Sequence, residues 1–112
     1  MTKIINLTPH AINLMAEDDS IIATFASQGV ARAASSRVAI DTIDVNGCAI
    51  SINRTSFGAV ENLPAEQDNT LYIVSALTAK AAPSRTDLIA PDDTVRDDAG
   101  RIIGCHAFAK LN

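Results

Sequence analysis

The chain has 112 residues, 47% hydrophobic and 20% charged, with 9 Lys and Arg against 13 Asp and Glu; that is the length and balance of one globular domain able to bury a core without disulfides or metal. A net charge of −4 excludes the basic stripe that neutralises phosphates in non-specific nucleic-acid binding. No apolar run nears the roughly 18 residues of a membrane span, and no charged-then-apolar leader opens the chain, so a soluble, cytoplasmic protein is expected.

In chain order, Ile4-Ile5 and Leu7 form a first apolar run, broken at Thr8-Pro9-His10 because proline removes an amide donor. Ala11 to Met15 and Ile21 to Phe25 read as short strands flanking Asp18-Asp19-Ser20. Ser27-Gln28-Gly29 turns the chain into an alternating stretch from Val30. Asn46-Gly47, between two β-type runs, predicts a two-residue hairpin, since a type I′ turn needs positive φ at both central residues. In that register Val45 faces Cys48, Ile43 faces Ile50 and Asp41 falls opposite Ile52, with a bulge near Asp41-Thr42 restoring the phase. The apolar face of this hairpin is expected to point inward.

A polar loop of about ten residues from Glu61 to Thr70 reads as a flexible connection. Leu71 to Val74 is a continuous apolar run, expected as a central strand covered on both faces. Ser75 then caps a short helix over 76–82, stopped by Pro83. Asp97 to Gly100 predicts a second hairpin turn, with Gly100 at positive φ, before a last strand over 101–108. The predicted fold is a single mainly β domain of α+β type: a compact antiparallel sheet or a partly open barrel with one short helix.

The cationic side chains are six Arg to three Lys, a bias suited to planar recognition of phosphate or carboxylate. The candidate ligand-binding set is Ser75, Ser84, Arg85, Asp87 and Arg96, with Asp87 and Asp97 orienting the two guanidinium forks. The alternative is a surface of local Arg–Asp pairs. Arg32 and Arg37 around Ser35-Ser36, and Arg54-Thr55-Ser56, are further possible anion contacts. His10 and His106 have the imidazole suited to acid–base work, but no nucleophile motif accompanies them. Cys48 and Cys105, without paired spacing, are expected as buried or half-buried free thiols, and no metal or cofactor site is expected. Tyr72 and the three Phe are expected in the core, leaving no stacking platform for a base.

The segments Asn6-Leu7-Thr8-Pro9-His10-Ala11-Ile12, Tyr72-Ile73-Val74-Ser75-Ala76-Leu77, Arg85-Thr86-Asp87-Leu88, Ala90-Pro91, Val95-Arg96-Asp97 and Gly100-Arg101-Ile102-Ile103-Gly104-Cys105 resemble a group of small phage, prophage and bacterial proteins. The resemblance covers the two ends of the chain. It carries over no catalytic residue and implies a viral or mobile-element origin and an accessory role. Joined to the Arg bias, it suggests a non-enzymatic binder of a small anionic ligand, such as a nucleotide immune signal sequestered against host defence, working as a homo-oligomer. One alternative is a protein-interaction or virion accessory module whose contact surface is the loop over 61–69 or an exposed sheet edge. The other is a small hydrolase using His10 or His106.

Overall fold

The computed structural model describes residues 2–111. Strands β1 (Lys3–Asn6), β2 (Ile12–Met15) and β3 (Ile21–Phe25) precede two long strands, β4 (Arg32–Val45) and β5 (Cys48–Glu61). Strand β6 (Thr70–Ile73), helix α1 (Ala76–Ala81), β7 (Leu88–Arg96) and β8 (Ile102–Ala109) complete the chain. Six strands form one sheet in the order β1-β6-β7-β8-β2-β3, and β4 and β5 form a second, two-stranded sheet. Of the two architectures allowed by the sequence, the nearly closed barrel with one short helix is formed.

Hairpin-connected neighbours are antiparallel (β2 with β3, β7 with β8), whereas β1 with β6, β6 with β7 and β2 with β8 are parallel. Parallel pairing follows from the connections: chain ends separated by an arm or a helix return in the same direction. The β2–β8 join is narrow, with Leu14 opposite Cys105. Asn13 widens it, its amide donating to the Ile103 carbonyl at 2.9 Å while its oxygen accepts from Thr24 Oγ1 at 2.8 Å.

The sheet closes through one residue. Asn6 bridges in parallel to Ser27, and its carbonyl accepts from Gln28 N at 2.9 Å. Its side chain, fully buried, donates to the carbonyls of His10 (2.8 Å) and Phe25 (2.9 Å) and accepts from Thr8 N (2.9 Å) and Thr8 Oγ1 (2.7 Å). Every hydrogen-bonding position of that amide is filled.

The core lies where this sheet meets α1 and the roots of β4 and β5. Leu7, Ala31, Tyr72, Val74, Ala79 and Leu88 are buried together, with Ile5, Val60, Leu63 and Ala82 packed against them. Tyr72, Ile73 and Val74 are wholly inaccessible, as expected for a strand covered on both faces. Ser75 caps α1, its Oγ accepting from Thr78 N at 3.2 Å. Thr78 in turn donates to the Ala31 carbonyl at 3.3 Å, pinning the helix to the root of β4.

Beyond those roots β4 and β5 leave the barrel as an arm of two 14-residue strands, roughly 45 Å long. The molecule measures 58 × 38 × 22 Å with a radius of gyration of 17.8 Å, against about 13 Å for a globule of this length. The hairpin has the expected register, Val45 to Cys48, Ile43 to Ile50 and Asp41 to Ile52; the phase shifts at Ile40, just before the expected Asp41-Thr42, and a second time at Ala34, between Ala33 and Ser35. Asn46 (φ 52°) and Gly47 (φ 82°) make the turn. Its surroundings differ from expectation: the apolar face points into solvent, because the arm extends past the body that would cover it. For the same reason Cys48 is an exposed thiol, whereas Cys105 is buried; Phe57, expected in the core, is exposed near the root of the arm.

Candidate functional site

The five residues expected to bind an anion divide into separate structural tasks. Arg85 and Asp87, two apart, form a two-pronged pair, Nε to Oδ1 at 2.9 Å and Nη2 to Oδ2 at 2.7 Å. Nη2 also donates to the Pro64 carbonyl at 2.8 Å, and Nε lies 3.3 Å from Glu66 Oε1. The Asp87 carboxylate, bonded to the guanidinium, raises the Arg85 pKa above its ordinary value. Together these bonds clamp the loop over 62–69 to the start of β7, and Tyr72 of β6 holds it from the other side, its hydroxyl donating to Ala65 O at 3.3 Å. That loop, read from sequence as a flexible connection, is tied at three consecutive residues.

Arg96 lies at the other end of β7, a strand of nine residues spanning roughly 25 Å. Its Nη1 donates to the Gly100 carbonyl at 2.7 Å, inside the β7–β8 turn. Asp97 does not orient Arg96. Its carboxylate accepts from Ala99 N and Arg101 N, both at 2.9 Å, and from Arg101 Nε at 3.1 Å. Ser84 is exposed beside Arg85, and the Ser75 hydroxyl is engaged in the helix cap. The structure therefore brings Arg85 and Asp87 together and leaves Ser75 and Arg96 apart from them.

Ser75 does line a cleft, of about 310 Å3, at the root of the arm, with Leu7, Arg32, Phe57 and Leu77 among its walls. Its lining is chiefly apolar. Arg37 and Thr55, proposed as separate anion contacts, are direct cross-strand partners on the arm, as are Ser36 and Ser56.

His106 on β8 is held between two carboxylates, Nε2 at 2.7 Å from Asp19 Oδ1 and Nδ1 at 3.4 Å from Asp93 Oδ2. The hydrogen bond its ring donates to the Asp19 carboxylate raises its pKa above the usual imidazole value. Both ring nitrogens face partners, which leaves none directed at a substrate. At His10 the carbonyl is the engaged group, accepting from Asn6, and the residue is exposed. Burial raises the Cys105 thiol pKa, opposite to the lowering that activates a nucleophile. Among the described residues no group of three or more His, Cys, Asp or Glu side chains is placed to hold a metal ion, and no helix is long and apolar enough to cross a membrane.

The feature sequence reasoning missed is the exposed face of the arm. From the turn toward the root, the register sets the pairs Val45–Cys48, Ile43–Ile50, Asp41–Ile52 and Val38–Arg54 on one face. Asp44–Ala49, Thr42–Ser51 and Ala39–Asn53 lie on the other. One side is a stripe of aliphatic residues, the other small and polar. Val38, Ile43, Val45, Ile50 and Ile52 are exposed by 38 to 60%. Alternation at period 2 was visible in the sequence; that no described residue covers it was not. No family model, curated protein or solved structure matches the chain.

Proposed function

We propose that the protein is a non-enzymatic assembly module whose arm binds a protein partner through its aliphatic face. The observation that carries this reading is the amphipathic arm itself. An isolated two-stranded hairpin is marginally stable in water, and a period-2 stripe of Val and Ile matches a strand with one face buried. A contiguous apolar surface of this kind, bordered by polar residues, marks an interaction site. The likeness of the chain's two ends to small phage and prophage proteins supports an accessory role within such an assembly. Capture of a small anion has less support, because Arg85 and Arg96 are bonded within the chain and stand at opposite ends of β7.

The test is native mass spectrometry of the tagged full chain and of Ile43→Asp, each recovered from its source cell. Wild type is expected to carry a protein, foreign or its own copy, at fixed stoichiometry, and the variant to have lost it. Equal behaviour of the two proteins overturns the reading.

A further inference from the structure

We infer that the partner covering the aliphatic face of the arm is a second copy of this chain, the two arms stacking face to face with their tips pointing the same way. This rests on the interaction reading above and names its partner. Area is the first argument. Full cover of the five exposed aliphatic residues and Cys48 on both arms removes at most about 900 Å2 from water, just under the roughly 1,000 Å2 that a specific interface requires. The flanking Asp41, the stem of Arg54 and the Ser36–Ser56 pair share the face and adjoin the stripe.

Charge is the second argument. Two charged side chains interrupt the stripe, Asp41 on β4 and Arg54 on β5, one cross-strand pair apart. Asp41 Oδ1 accepts from Thr42 N at 2.7 Å. Among the described residues neither side chain is in an ion pair. A two-fold axis running along the arms lays β4 of one copy over β5 of the other. Asp41 then stands above Ile52 of the second copy and one step from its Arg54, about 7 Å along the strand and within the reach of an arginine. The same contact recurs by symmetry, because such an interface is self-complementary. Each arm thus places its one carboxylate and its one guanidinium a single cross-strand pair from the opposite charge of the second copy. A lipid surface fits less well: the protein's net charge is −4, and the stripe holds a carboxylate and no aromatic residue.

Sedimentation velocity of the full chain, from about 1 to 100 μM, tests the proposal. Wild type is expected to be a dimer dissociating within or below this range. Asp41→Arg and Arg54→Asp should each weaken the dimer at least tenfold. Combining both substitutions in one chain should restore it, and so should mixing the two single variants, since each then supplies the charge the other lacks. Ile43→Asp should be monomeric, with far-UV circular dichroism matching wild type to show that the barrel is intact. Wild type that stays monomeric throughout, or charge variants that dimerise as wild type does, overturns the proposal. If Ile43→Asp nevertheless loses a foreign partner in native mass spectrometry, only the identity of the partner falls; if it loses nothing, the interaction reading falls too.

Discussion

Asn6 shows how one polar side chain substitutes for missing strand pairing. The sheet's first strand and the segment after β3 meet through a single bridge, and the carboxamide fills the gap with four hydrogen bonds in a site closed to water. Asn6→Ala leaves the His10 and Phe25 carbonyls and the Thr8 amide without this partner, and a buried group stripped of its hydrogen bond costs about 1–3 kcal/mol. The expected loss of stability is about 2–4 kcal/mol, read from urea unfolding. Asn6→Asp should be no better, since a carboxylate cannot donate to two carbonyls. A loss below about 0.5 kcal/mol for either variant would show that the bridge closes without the side chain. The Thr-Pro turn was legible in the sequence, because proline's constraint is local. Asn6 was not, since its role depends on Phe25, nineteen residues away. The Arg85–Asp87 pair and the Ser75 cap were legible for the same reason as the turn: their partners lie within three residues.

Elements separate along the same line. The turn end of the β4–β5 hairpin, from Val45–Cys48 to Asp41–Ile52, could be placed to the residue, because Asn46-Gly47 sets the turn and the turn sets the register, whereas the shifts at Ile40 and Ala34 lie beyond that local rule. The parallel neighbours β1–β6 and β2–β8 are joined across most of the chain and leave no local signal. Contacts between elements also make one pH effect foreseeable. His106 ties β8 to the β2–β3 turn through Asp19 and to β7 through Asp93, and its folded-state pKa is raised above the ordinary 6.5, chiefly by the Asp19 hydrogen bond. A raised pKa means that the folded protein holds this proton more tightly than the unfolded chain does. The stabilisation is therefore full below the unfolded value of 6.5 and is lost as pH rises through the elevated folded value. The difference in Tm between wild type and His106→Gln should be greatest near about pH 5.5 and shrink toward about pH 8.5. Asp19→Asn should flatten it. A difference that grows with pH would mean that the imidazole is held neutral in the fold.

At the scale of the whole molecule, the protein is a closed body bearing an open arm, and its two thiols report on the two parts separately. Cys48 follows the arm's turn and is exposed; Cys105, in β8 beside β2, is 1% accessible, with its pKa raised by burial. A thiol reacts through its thiolate and only where reagent can reach it. Among the described residues the arm's distal half is held by its own β4–β5 ladder, while Cys105 sits within a sheet whose opening requires loss of the core. Titration of the native chain with an aromatic disulfide should thus consume one thiol per molecule rapidly, and Cys48→Ser should remove that phase. The second thiol should react only as the body unfolds, at a rate that rises with denaturant. Self-association through the arm adds a further demand. Cys48 lies on the aliphatic face, so its rate should fall with increasing protein concentration as the arms pair, while the rate at Cys105 stays constant. Two fast thiols would place Cys105 outside a closed barrel. A Cys48 rate independent of concentration, at concentrations where the chain is a dimer, would put the contact between copies somewhere other than this face.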